Sequence, residues 1–305
     1  MIVPSGVTLV TEKKSPLSSY ITNLYNNATK TAVINNSITY QYDPKNSNYS
    51  NQSSSTCETW RIIGVFDGKI KLIRNESIGE YSWDNKNVST GAENDYGKND
   101  WTDARLMKLL NPGYESKTTG GSLYYNAKSG NCYSGQSNAT KACNFTSTGI
   151  KNATTRNLIS DTIYYLGGHN SFSVYPNQIY EKERGTTVYS GRPTEWTGKI
   201  ALAYPSDYGY AADLGKCSQN LNNYNNSTCT SNNWMKAIVA PNYGWLLTPR
   251  SGIASNVWYV YSSGGVYYNS YVYNAYGVAP VLFLNSDANV KSGTGTSSDP
   301  YQISV

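Results

Sequence analysis

The sequence predicts an α+β domain with few helices, short antiparallel strands and long irregular loops. Three observations carry this: period-two alternation in many short segments, only three stretches with helical spacing, and a polar background rich in Asn, Ser, Thr and Gly. Charged residues make up 15% of the 305 residues, whereas Asn contributes 35 and Tyr 29. An ordinary soluble domain carries roughly 25% charge, so this exterior must be built from neutral amides, hydroxyls and phenols. The length is ample for a large core.

In chain order, residues 1–44 form an N-terminal segment with one helical signal. Ser15 precedes Pro16, and Leu17, Tyr20, Ile21 and Leu24 recur at helical spacing until Asn26 and Asn27. Residues 45–56, KNSNYSNQSSST, are a polar linker or loop, and the main domain covers 57–305. Trp60 to Arg74 reads as a hairpin turning at Asp67-Gly68, with alternation in Lys69-Ile70-Lys71-Leu72-Ile73. A second helix is expected from Asn99 or Asp100 to Leu110, stopped by Asn111-Pro112-Gly113. A third is expected from Thr154 or Thr155 to Leu166, ended by Gly167-Gly168. Lys199–Ala203, Ile238–Ala240, Trp245–Leu247, Val257–Tyr261, Val266–Tyr273 and Val278–Leu284 read as strands.

The charge balance excludes some function classes. The net +5 is spread without a basic stripe, so no surface for nucleic acid is indicated. No run of 18 apolar residues exists, Met1 to Val10 lacks the order of a signal peptide, and the chain reads as soluble. The single histidine, His169, follows Gly167-Gly168 with no motif around it; it reads as a loop or packing residue, which leaves a hydrolase without a base. Cys132 and Cys143 flank one polar loop and Cys217 and Cys229 another, without the two-residue spacing of zinc or thioredoxin motifs. Two local disulfides are the simplest account, implying an oxidising, extracytoplasmic setting and an odd thiol at Cys57. No acidic cluster of calcium-loop spacing occurs, so no metal and no cofactor are expected.

The most informative window is 251–276, SGIASNVWYVYSSGGVYYNSYVYNAY, with seven Tyr and five Ser, and no charge between Arg250 and Asp287. Trp258 and Val260 would face one side of a strand, Tyr259 and Tyr261 the other, with Tyr267, Asn269, Tyr271 and Tyr273 opposing Val272. Tyr supplies large amphipathic contact area at low rotamer entropy, and Ser, Gly and Asn supply adaptable hydrogen bonds, as in a paratope. Tyr also suits exposed strand positions for structural reasons alone.

Several blocks carry a family resemblance: Trp60-Arg-Ile-Ile-Gly-Val-Phe-Asp-Gly-Lys, the run NDWTDARLMKLLN from Asn99, Gly198-Lys-Ile-Ala-Leu, Ser206-Asp-Tyr-Gly-Tyr-Ala, Trp245-Leu-Leu-Thr-Pro and the run YGVAPVLFLN from Tyr276. Together, over about 57–303, they resemble a bacterial surface-protein domain common in gut Firmicutes, often found behind a prepilin-like membrane segment. The resemblance implies the C-type lectin fold of the formylglycine-generating-enzyme type, which also serves as the variable protein of diversity-generating retroelements. There, mutation at template adenines spreads Asn codons over Tyr, Ser, Asn, Asp, Gly and Ala. It implies a fixed scaffold of Trp245, Leu246, Leu247, Trp258, Val260, Gly264, Val266, Val272, Gly277 and Val278. It further implies a variable region at 250–276, with ligand-facing Ser251, Ser255, Asn256, Tyr259, Tyr261, Ser262, Ser263, Tyr267, Tyr268, Asn269, Tyr271 and Tyr273; Arg250 reads either as the one charged contact at its edge or as a solvated charge. This chain departs from the pattern at Ala279, where relatives carry Arg, and before Trp60, where Cys57 stands in place of two cysteines.

The expected function is that of a surface-displayed receptor or adhesin, not an enzyme, on the outside of a bacterial cell. Its partner would be a protein or glycan on another cell, phage or host surface, with membrane contact only through a missing N-terminal anchor. The alternative is a pilin-like structural subunit. A formylglycine-generating-type oxidase would require catalytic cysteines in the C-terminal half, and none follows Cys229.

Overall fold

The computed structural model describes residues 39–42, 58–85, 96–136, 138–150, 153–285, 288–293, 295 and 299–304. The helical signal at Pro16, the 45–56 linker and Cys57 lie outside the described residues. In chain order the first half runs β1 (Thr39–Tyr42), β2 (Glu58–Phe66), β3 (Lys69–Arg74), β4 (Glu80–Ser82), α1 (Arg105–Leu110), β5 (Ser129–Tyr133), β6 (Thr140–Asn144), α2 (Ala153–Leu158), β7 (Thr162–Tyr165) and α3 (Pro176–Glu183). The second half runs β8 (Glu195–Gly198), β9 (Ile200–Ala201), α4 (Pro205–Tyr210), α5 (Ser227–Ser231), α6 (Lys236–Val239), β10 (Gly244–Pro249), β11 (Asn256–Val260), β12 (Val266–Tyr271), β13 (Ala275–Gly277), β14 (Val281–Phe283), β15 (Asn289–Ser292) and β16 (Gln302–Ser304). Short helices beside mixed sheets are the expected α+β class.

Two five-stranded sheets organise the chain, in the orders β1-β2-β3-β14-β9 and β12-β11-β10-β13-β4. The first is antiparallel throughout; the second has one parallel pair, β10 with β13, where Gly244 faces Gly277. Because β1 pairs with β2, the first sheet takes in part of the 1–44 segment. The β2–β3 hairpin forms as expected: Asp67 and Gly68 have φ of 50° and 74°, the left-handed pair that a tight hairpin turn demands.

Alternate residues of the same strands feed two cores. Trp245, Leu247, Val257 and Leu282 join a cluster with Trp83, Trp101, Leu106 and Leu110. Leu246, Trp258, Val260, Val266 and Val281 join another with Tyr208, Tyr224 and Met235. β10 is therefore buried along its whole length, which is why Trp245-Leu-Leu reads as a continuous apolar run. Both expected disulfides are present, Cys132–Cys143 across β5–β6 and Cys217–Cys229 from a loop to α5.

Three expected elements differ. The helix before Asn111 begins only at Arg105, because Asp100 Oδ1 accepts from Thr102 N and Oγ1 in a local turn, and Asp84 Oδ1 takes the Arg105 amide. The helix from Thr155 ends at Leu158; Thr162-Ile-Tyr-Tyr, β-branched and aromatic, pairs instead with β8 as β7. Ile238–Ala240 is not a strand: Ile238 and Val239 lie in α6, whose entry is fixed by Asn233 Oδ1 accepting the Met235 amide.

Candidate ligand-binding face

The window identified in the sequence forms the edge of the second sheet. β11 and β12 are antiparallel, pairing Tyr259 with Tyr267, Val260 with Val266 and Val257 with Ser270; the spacing shows one extra residue in β12. The connection closes by Tyr261 N to Gly265 O and Gly264 N to Tyr261 O, both 2.8 Å. Gly264 has φ of 99°, and a Cβ there would lie 2.7 Å from Thr230 Cγ2, so glycine is required.

One side of β11 points into the protein: Trp258 and Val260 are fully buried. The other side carries a group of rings. Tyr259 and Tyr267 lie 6.3 Å apart, Tyr261 and Tyr267 6.0 Å, Tyr243 and Tyr261 4.8 Å, and Tyr243 and Tyr276 4.9 Å, with Trp245 beneath Tyr276 at 4.4 Å. Hydrogen bonds fix the phenols: Tyr259 donates to Asn269 Oδ1 at 3.1 Å, Tyr267 to the Asn222 carbonyl at 3.3 Å, and Ser270 Oγ to the Tyr276 hydroxyl at 3.0 Å. Burial and neighbouring phenols hold Tyr259 above the ordinary phenol range, and a side-chain hydrogen bond with Tyr261 raises Tyr243. Both therefore remain neutral donors near pH 7. A second group stacks beside the first, Tyr96 on Tyr271 at 4.6 Å and Tyr271 on Tyr273 at 5.5 Å.

The loop entering β11 is held from below. Asn99 Nδ2 donates to the carbonyls of Arg250, Ile253 and Asn256 at 3.0, 2.8 and 2.9 Å, and Arg192 Nε donates to Asn99 Oδ1 at 3.2 Å. Arg250 stands at the rim, donating from Nε to Asn170 Oδ1 at 2.6 Å, its guanidinium 4.6 Å above the Tyr268 ring.

The structure divides the sequence-predicted set. Tyr261, Ser263, Asn269 and Tyr271 are exposed, and Arg250, Ser251, Ser262 and Tyr267 are half-buried. Tyr259 and Tyr273 are buried among the other rings. Ser255 and Asn256 are 1% and 3% exposed, so a ligand cannot reach them. Tyr268 lies on the opposite side, stacked on Phe172 at 4.0 Å and 5.2 Å from Trp258, because alternation from Val266 and Tyr267 turns it toward the Trp258 core. Sequence reasoning missed Tyr96, Tyr243 and Tyr276. Tyr276 and Tyr243 precede Gly277 and Gly244, the parallel bridge between β13 and β10, which brings both beside Tyr259; Tyr96 gave no local signal.

His169 packs rather than projects. Its ring lies parallel to that of Trp258 at 6.3 Å, its carbonyl accepts from Trp258 Nε1 at 3.4 Å, and burial lowers its pKa, with Lys182 adding to the effect. Among the described residues, no group of three or more His, Cys, Asp or Glu gathers to hold a metal, and no helix is long and apolar enough to cross a membrane. The two disulfides point to an oxidising, extracellular environment.

These features define a disulfide-stapled α+β protein whose second sheet displays an uncharged, tyrosine-rich face. No protein family matches the chain, and neither the curated proteins nor the solved structures contain a match to it.

Proposed function

We propose that this chain is a ligand-binding protein of the bacterial cell surface, with the C-type lectin fold of the formylglycine-generating-enzyme type, and that its face is the diversified region of a retroelement variable protein. One observation carries the reading: Trp258, Val260, Val266 and Val272 are fully buried, while Tyr261, Ser263, Asn269 and Tyr271, interleaved with them, are exposed. A fixed interior alternating with an interchangeable exterior suits a scaffold whose contacts are rewritten without refolding. The exposed groups are rings, hydroxyls and amides, which bury partner surface and form hydrogen bonds without desolvating charge. They suit a protein or glycan ligand.

Two measurements test this. At the nucleotide level, a near-copy of codons 245–285, differing only at template adenines, should lie beside a reverse-transcriptase gene; without it, the diversification part fails. In binding assays against glycan arrays and arrayed surface proteins, a ligand should lose at least tenfold affinity to Tyr261→Ala with Tyr271→Ala, and an unchanged affinity would move the site elsewhere.

The pilin-like reading has one observation in its favour, that β12 is an edge strand carrying the exposed Tyr271. Light scattering decides between the two: growth of particle size with concentration, abolished by Tyr271→Lys, supports assembly, and a monomer at high concentration refutes it.

A further inference from the structure

A cleft of about 840 Å³ shares no residue with the tyrosine face and is bounded by the β2–β3 hairpin, β7, the end of α3 and β14. Its size falls in the range of small-molecule sites, roughly 300–1,000 Å³. Phe66, Tyr164, Tyr165, Tyr180, Tyr204 and Phe283 line it with rings, and Lys69, Lys71 and Arg184 bring cations to the same walls.

The charges there do not cancel. Lys71, 1% exposed, is neutralised by Asp207 Oδ2 at 2.5 Å and lies 4.4 Å from the Tyr204 ring. Lys69 Nζ, by contrast, donates only to neutral oxygens among the described residues, the Asp161 carbonyl at 3.1 Å and Thr162 Oγ1 at 3.4 Å. Arg184 packs 3.4 Å from the Tyr180 ring centre, and among the described residues its one ion-pair contact is Glu183 Oε2 at 3.5 Å. Glu183 is fully buried, with both carboxyl oxygens taken by the Ser206 amide and hydroxyl, and burial pushes its pKa up to about 8. Burial thus favours its neutral form, which weakens its compensation of the Arg184 charge. Among the described residues its Nη1 alone has protein acceptors, the Tyr180 carbonyl and Glu183, which leaves the rest of the guanidinium fork for a ligand. The opposing carboxylates are peripheral: Asp67 is exposed in the hairpin turn, and Asp161 is paired with Lys199 Nζ at 3.2 Å.

We propose that this cleft binds a small molecule carrying a carboxylate on a ring, the ring lying against the aromatic walls and the carboxylate meeting Arg184, with Lys69 at the entrance. A planar guanidinium takes a carboxylate through two parallel hydrogen bonds, and aromatic walls stack equally on a sugar ring or a phenyl ring. The ligand is therefore either a sugar acid or an aromatic acid.

Calorimetric titration of the full chain at pH 7 with matched pairs, glucuronate against glucose and phenylacetate against 2-phenylethanol, tests the idea. At least one acid should bind tenfold or more tightly than its neutral partner, and whichever pair responds identifies the source of the ring. Arg184→Gln should abolish the preference and Lys69→Gln weaken it several-fold, while Tyr261→Ser on the remote face leaves it unchanged. Equal binding within both pairs, no binding of either acid at about 10 mM, or a preference surviving in both cleft variants would overturn the proposal. The comparison on the unmodified chain does not depend on any variant folding.

Discussion

Tyr96 stacks on Tyr271 with ring centroids 4.6 Å apart and planes 16° from parallel, although one precedes α1 and the other ends β12. The edge strand of the face is thus braced by a residue from another part of the chain. Aromatic pairs of this kind contribute about 1 kcal/mol beyond area burial. Tyr96→Ala should lower stability in urea by about that amount, and an unchanged midpoint would mean that the stack carries no load.

Asn99 should matter more. One side-chain amide serves three carbonyls of the loop entering β11, and removing it strands buried acceptors, each costing roughly 1–3 kcal/mol when left unpaired. Asn99→Ala is expected to destabilise by about 3 kcal/mol and to speed amide exchange in 250–256. Exchange in that loop at the parent rate would contradict the role.

Substitutions on the two sides of β11 and β12 should separate sharply. Tyr261→Ser, at a position 38% exposed, should change stability by no more than about 0.5 kcal/mol, and Tyr271→Ser, 37% exposed, by no more than the about 1 kcal/mol of its stack with Tyr96. Trp258→Ala empties a fully buried position and should cost about 3–5 kcal/mol. Thermal melts of the three variants check this, and comparable losses for all would count against an interchangeable exterior.

The disulfides close chain segments with sequence separations of 11 and 12, for which loop entropy gives about 3 kcal/mol each. Double replacement of Cys217 and Cys229 by Ser should lower stability on that scale. Thiol titration in denaturant without reductant should leave Cys132, Cys143, Cys217 and Cys229 unreactive; four additional reactive thiols would refute both bridges.

Glu183 gives a pH signature of defined sign. Its carboxyl, raised by burial from 4.5 to about 8, keeps its proton in the folded chain and loses it in the unfolded one. The stabilisation is complete below pH 4.5 and is lost as pH rises to about 8, with a slope of about 1.4 kcal/mol per pH unit between. Asp84, raised to about 6, contributes a similar fall at lower pH, and His169, lowered from 6.5, contributes a rise that ends near its ordinary value. Between pH 7 and 8 Asp84 and His169 have largely finished titrating, while Glu183 has not. Glu183→Gln should flatten denaturation midpoints there, and an unaltered slope would assign it to another group.

Features fixed by local chemistry were legible in the sequence: the Asp67-Gly68 turn, both disulfides, the buried run at Trp245 and the opposition of Trp258 to Tyr259. What escaped depends on distant partners. α1 starts late because Asp84 reaches Arg105, and the residues after Leu158 become a strand because β8 offers a ladder. Tyr268 entered the ligand-facing set through the family resemblance, although alternation with Tyr267 and Asn269 already turns it toward the Trp258 core. Lys71 alternates with apolar neighbours as a solvent-facing residue would, yet Asp207, far along the chain, makes its burial tolerable.

β10 gives Trp245 and Leu247 to one core and Leu246 to the other. Neither core can melt while the other stands, so calorimetry should record a single endotherm with matching van't Hoff and calorimetric enthalpies. The tyrosine face hangs on that shared strand and inherits its stiffness. A partner would meet a preformed relief rather than a pliable loop, and little of the contact energy would be consumed in ordering it. Novelty in recognition would then have to come from replaced side chains, since the backbone has little freedom to supply it.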